Sequence, residues 1–154
     1  MKKTISLLLA VVLCVTVLII PATATDMEVV TPKSSTSRIE LPDGGYILEE
    51  ITELPTTTRA SGTKSGEKTR VRYTANDEAV YGVKVTGTFN YNGTSSSAIY
   101  SAATVYIYMS GASYVSKSAW YSGNTAYATG SVKYLGITES RTPSLSCDKN
   151  GNLS

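Results

Sequence analysis

The chain has 154 residues and a formal charge of +2, with 42% hydrophobic and 17% charged residues, enough for one modest core. No histidine occurs, which excludes serine–histidine and cysteine–histidine nucleophilic sites and most zinc sites. Without Lys2 and Lys3, twelve bases face twelve acids, and the bases are too scattered to form a nucleic-acid stripe.

Residues 1–24 carry an export signature. Lys2 and Lys3 precede an apolar run from Ile5 to Ile20, and Ala22-Thr23-Ala24 supplies the small-x-small pattern for cleavage after Ala24. The run is short for a membrane span and no stop-transfer pattern follows, so the expected product is secreted, with no membrane anchor. Leu13 precedes Cys14 where a lipoprotein signal needs a small residue. Leu54-Pro55-Thr56-Thr57-Thr58 lacks the glycine of a sortase signal.

Residues 25–60 read as an extended acidic arm or pro-segment. They hold seven acids (Asp26, Glu28, Glu40, Asp43, Glu49, Glu50, Glu53) against Lys33, Arg38 and Arg59. Pro32, Pro42 and Pro55 interrupt the arm, Asp43-Gly44-Gly45 signals a turn, and only Tyr46 to Leu54 suits a short element. Residues 61–69 read as a Ser/Gly/Lys linker with almost nothing to bury, which leaves a β domain at 70–154.

A period of two sets in at Lys68, where Thr69, Val71 and Tyr73 alternate with Lys68, Arg70 and Arg72 before a turn at Ala75-Asn76-Asp77. The clearest strand places Tyr81, Val83, Val85, Phe89 and Tyr91 on one face and Lys84, Thr86, Thr88 and Asn90 on the other. Asn92-Gly93 is a hairpin signal. The strand after it splits into an aliphatic face (Ala103, Val105, Ile107, Met109) and a second face of Tyr100, Thr104, Tyr106 and Tyr108. A two-residue loop sets Val85 opposite Tyr100 and buries the tyrosines. A three-residue loop or one bulge sets Val83 opposite Ala103 and turns them outward, which is the expected register. Val115 to Tyr121 and Thr125 to Leu135 predict another hairpin around Ser122-Gly123-Asn124, and Ile137 to Cys147 a last strand that Pro143 confines to an edge. About six short strands without helical periodicity predict an all-β fold, an antiparallel β-sandwich or small barrel.

The candidate catalytic motifs each have a plainer account, so no catalytic residue, metal or cofactor is assigned. Ser61-Gly-Thr-Lys64 and Ser65-Gly-Glu-Lys68 match Ser-x-x-Lys but lie outside any helix, where that chemistry places its serine. Glu49, Glu50 and Glu53 read as a solvated acidic face rather than a glycosidase pair. Asp148-Lys-Asn-Gly-Asn152 lacks the later acidic ligand of a calcium loop and reads as a turn. Cys147, the one cysteine left after cleavage, reads as a small buried hydrophobe.

Tyrosine is the positive signal: eleven occur against one phenylalanine and one tryptophan. An apolar ring with a polar tip stands on an exposed sheet face at little cost. Tyr100, Tyr106 and Tyr108, with Trp120 or Tyr121 nearby, are the expected ligand-binding platform, its partner a cell-wall or extracellular glycan or a surface protein. The second expectation is a small antimicrobial or membrane-active protein, masked by its acidic arm until a cut near Arg59.

Leu41-Pro-Asp-Gly-Gly-Tyr46, Thr63-Lys-Ser-Gly-Glu-Lys-Thr69, Val83-Lys-Val-Thr-Gly-Thr-Phe-Asn-Tyr-Asn-Gly93, Ser122-Gly-Asn124 and the closing Leu145–Ser154 resemble a family of small uncharacterised exported proteins of Gram-positive bacteria. The resemblance implies secretion and an all-β fold, and brings no activity. It also implies a second cysteine after the Asn-Gly hairpin, able to pair with the one near the end. This chain has Ala98-Ile99-Tyr100 there, which would leave Cys147 free.

Overall fold

The computed structural model describes residues 33–55 and 61–154. The leader, its cleavage site and the cut near Arg59 lie outside them. Nine strands follow in order: β1 (Ser34–Glu40), β2 (Tyr46–Glu53), β3 (Gly62–Tyr73), β4 (Ala79–Tyr91), β5 (Ser96–Ile107), β6 (Ser113–Ser122), β7 (Thr125–Tyr134), β8 (Ile137–Arg141) and β9 (Ser144–Ser146). The first sheet runs β1-β2-β3-β4-β5. The second runs β6-β7-β8, with β9 also on β7. All pairs are antiparallel, and the sheets pack face to face as a sandwich.

Two stretches differ from the sequence reading. Within the expected arm, β2 is the short element foreseen from Tyr46, but Ser34–Glu40 also forms a strand, and both are hydrogen-bonded into the first sheet. Gly62–Thr69, read as linker, begins β3 and pairs with both β2 and β4. Their polar composition misled because strand pairing satisfies backbone groups whatever the side chains. The last expected strand divides at Thr142-Pro143 into β8 and β9, both bonded to β7.

The β4–β5 hairpin settles the register. A four-residue loop, Asn92–Ser95, is followed by a bulge at Ile99 that shifts the pairing by one. Val83 then lies opposite Val105 and Val85 opposite Ala103. The aliphatic face turns inward and Tyr100, Tyr106 and Tyr108 outward, as expected, with the pairs two residues farther along.

Inward from β4 and β7, Val85, Phe89, Ala126, Ala128, Leu145 and Cys147 form one cluster, and Val80, Tyr81, Val83 and Val132 a second. Each fully buried large side chain contributes about 1.5–3 kcal/mol. The sheets meet closely at Gly130, where a Cβ would lie 2.7 Å from methyls of Val83 and Val105. Under β2 and β3 the inward positions are mostly ionic instead, with Ile47 and Ile51 among them. Lys64 meets Glu53 at 2.6 Å, and Glu49 takes Lys68 at 2.9 Å and Arg70 at 2.5 Å.

Candidate functional site

Three places offer chemistry: a cleft at one end of the sandwich, the Asp148 loop, and the outer face of the first sheet. The cleft, of about 320 Å³, is lined by Leu41, Pro42, Asp43, Arg72, Glu139 and Arg141. Arg72, 5% exposed, bonds Asp43 through Nη2 and the Tyr73 carbonyl through Nη1 at 2.6 Å. One oxygen of Glu139 accepts the Tyr81 hydroxyl and Arg141 Nη2, both at 2.8 Å. Burial first, then the bond to Glu139, raises the Tyr81 hydroxyl above the usual tyrosine range. Two guanidinium groups against two carboxylates make this a neutral clasp. It joins the β1–β2 turn to β8.

The Asp148 loop is a turn built on its own carboxylate. One oxygen accepts the Asn150 and Asn152 amides at 2.8 and 2.9 Å, and the other accepts Asn152 Nδ2 at 2.8 Å. Those bonds, the Asn152 side chain foremost, hold the carboxyl below its ordinary range. Cys147, just before it, is fully buried, and burial pushes its thiol up to about 11. An un-ionised thiol inside the core is a poor nucleophile.

The carboxylates of β2 are engaged as well: Glu49 and Glu53 in the inward ion pairs, Glu50 outward with Ser34 Oγ at 3.0 Å. On β3, Ser65 bonds Thr88 on the outer face while Lys68 points inward to Glu49, so this serine and lysine do not meet.

The outer face of the first sheet carries a row of rings. Pairing places Tyr46 opposite Tyr73, with ring centroids 4.8 Å apart and planes 5° from parallel. Tyr106 and Tyr108 stack at 6.0 Å and 13°. Tyr108 leans across β4 over Gly82, where a Cβ would lie 3.3 Å from its ring and 3.4 Å from Val71. A side chain there would crowd the ring from its seat by a few tenths of an ångström. Burial first, then the neighbouring Tyr106 and Tyr73, raise the Tyr108 hydroxyl above its ordinary range. The row crosses β2 to β5, a width of about 14 Å at the usual strand spacing.

A cation flanks each end of the row, already matched by an acid. Arg38 lies 3.5 Å above the Tyr46 ring and bonds Glu40 at 2.6 Å. Lys84 lies 5.8 Å from the Tyr106 ring and bonds both oxygens of Glu67 at 2.9 and 3.0 Å. The Tyr46 hydroxyl also meets Asp77, so the face is flat and aromatic, with no unmatched cation at the row. Tyr46 is largely covered, at 8% exposure, whereas Tyr108 stands 52% exposed.

Of the five expected platform residues, Tyr106 and Tyr108 form this row. Tyr100 shares their face but sits six residues along β5, about 20 Å away. Trp120 faces outward from the second sheet, stacked on Tyr127 at 5.2 Å and 6°. Tyr121, its neighbour on β6, points to the opposite side, so neither joins the row. Tyr46 and Tyr73 were missed. The signal for them was positional: each flanks a turn, Asp43-Gly44-Gly45 or Ala75-Asn76-Asp77, at the same end of adjacent strands.

The comparisons with known proteins are negative: no family model, curated protein or solved structure matches the chain.

Proposed function

We propose that this chain is an exported, non-catalytic binding module that takes a neutral glycan, of cell wall or extracellular matrix, across the tyrosine row of its first sheet. The observation that carries the reading is the row itself: Tyr46, Tyr73, Tyr108 and Tyr106 in two stacked pairs, with Arg38 and Lys84 matched by acids at its ends. A sugar ring presents an apolar C–H face and a polar rim. A flat array of tyrosines presents ring faces and hydroxyl tips in the same arrangement. The acids that match its cations disfavour a polyanion, and its width suits several linked sugar rings lying across the strands.

The masked antimicrobial reading gains no support from the fold. A cut near Arg59 would leave β1 and β2, and Tyr46 with them, held to the first sheet only by the pairing of β2 with β3. Release of a basic domain would therefore also dismantle the row.

The test is co-sedimentation of the protein from Thr25 onward with insoluble cell wall and with neutral polysaccharides. The wild type is expected to pellet with at least one of them. Tyr106→Ala/Tyr108→Ala, whose fold is checked by thermal melting, is expected to lose at least about tenfold in affinity, some 1.4 kcal/mol. Trp120→Ala is expected to bind like wild type. Absence of binding by all three proteins, or equal binding by the double variant, refutes the reading.

A further inference from the structure

The molecule's free strand edges are not alike. β1 carries the paired charges Arg38 and Glu40. β5 is bulged at Ile99 and tied to the other sheet, Ala98 donating to the Gly123 carbonyl at 2.8 Å and Ser101 Oγ to the Tyr127 carbonyl at 2.8 Å. The edge opposite β6 is broken by Pro143 between β8 and β9. Charges, bulges, cover and proline are the devices that keep edges from recruiting strands. β6 has fewer of them, a bulge at Val115 and a single lysine with no proline, and its stretch after the bulge is regular. It pairs with β7 alone among the described strands, all ten of its residues are exposed, and Lys117 is its one charge. Tyr114, Val115, Trp120 and Tyr121 stand 45–54% exposed along it.

We propose that β6 pairs antiparallel with β6 of a second copy, about a two-fold axis at Ala119, to give a closed dimer with one continuous sheet. The strand's own residues fit a second copy and fix this register. A bulge between Tyr114 and Ser116 leaves Ser116–Ser122 as the regular part of the strand, and Ala119 is its midpoint. Lys117, Ala119 and Tyr121 share one face, opposite Gly130, Ala128 and Ala126, while Ser118 and Trp120 share the other. A two-fold at Ala119 therefore sets Lys117 against Tyr121 of the second copy, and Ser118 against Trp120, each contact made twice. The ammonium then meets an aromatic ring. The two lysines lie about 13 Å apart along the strands. An axis at Lys117 would instead set like charges directly opposite each other. An isologous contact of this kind closes on itself rather than growing into a fibre. It uses neither the tyrosine row nor its face, so it stands apart from the glycan reading.

The test is sedimentation equilibrium of the protein from Thr25 onward, beside Ala119→Lys and two cysteine variants. The wild type is expected to show a concentration-dependent monomer–dimer equilibrium. Ala119→Lys puts like charges at the axis on an exposed site and should raise the dissociation constant at least about tenfold while keeping a native circular dichroism spectrum. Ala119→Cys should cross-link to a disulfide dimer on mild oxidation. Ser131→Cys, on the interior strand β7, should not, and the native thiol is buried and silent. A wild type that stays monomeric at every concentration leaves the edge for a foreign strand and overturns the proposal. So does cross-linking of Ala119→Cys no faster than that of Ser131→Cys, or an Ala119→Lys dimer as tight as wild type.

Discussion

The inward face of the first sheet is built in two ways. Along β4 it is Tyr81, Val83, Val85 and Phe89, all fully buried. Along β2 and β3 it is mostly charged, with Glu49, Glu53, Lys64, Lys68, Arg70 and Arg72 in ion pairs beside Ile47 and Ile51. Both halves obey the same pleat, so the difference lies in what covers them. β7 packs on β4 and β5, close enough that Gly130 and Ala128 are needed opposite, and only apolar groups belong there. Toward β2 the second sheet gives out. Long charged side chains reach past its margin, bury their stems and keep their heads paired at the rim.

If that contrast is right, a deletion in the apolar half costs most. Phe89→Ala empties a fully buried site in the cluster with Val85, Leu145 and Cys147 and is expected to lose about 3–5 kcal/mol in urea unfolding. A loss below about 1 kcal/mol would mean the sheets close over the gap and the half is not rigidly packed. Where the ionic half meets β8 of the second sheet, Glu139→Ala removes the acceptor shared by Tyr81 and Arg141 and a carboxylate 3.7 Å from Arg72 Nε. Its cost is expected at about 1–3 kcal/mol, because buried donors are left unmade rather than a void opened. If Glu139→Ala proves costlier than Phe89→Ala, the ordering of the two halves is reversed.

The same contrast explains what could be read in advance. Period-two alternation and turn chemistry were sufficient for an all-β sandwich and for the β4–β5 and β6–β7 hairpins, because both signals are local. Tyr106 and Tyr108 were readable as outward once a bulge in that hairpin was expected. Alternation names two faces without saying which is inside, so a strand such as β3 conceals its role: its charged side faces in. β1 has no apolar face at all, and pairing with β2 alone makes it a strand. The tyrosine row combines Tyr46 and Tyr73 with Tyr106 and Tyr108 across four strands, a neighbourhood that depends on strand order. Trp120 and Tyr121 are adjacent in sequence and on opposite sides of β6 for the plain reason that strands alternate.

The smallest expected effect separates the halves by pH. Burial alone would raise the Glu49 carboxyl, but the bonds from Lys68 and Arg70 outweigh it and hold the group below its ordinary 4.5. As pH falls below that value, the unfolded chain takes up the proton first, so protonation draws the equilibrium toward unfolding. The stability from this carboxylate is therefore complete above the unfolded value and is lost as pH falls through the lower folded one. Asp43, held down by the Gly45 amide and then by Arg72, adds a loss in the same direction. Glu49→Gln cannot take part, so it should be less stable than wild type near neutrality, by about 1 kcal/mol or less for a pair at the rim. That gap should close as pH is lowered past 4.5, read from thermal melts of both proteins in matched buffers. The apolar half has no such group to titrate: a Phe89→Ala deficit is expected to persist through the same range. A Glu49→Gln deficit that also persists would mean that the stems of β2 and β3, and not their charges, hold that side of the sandwich.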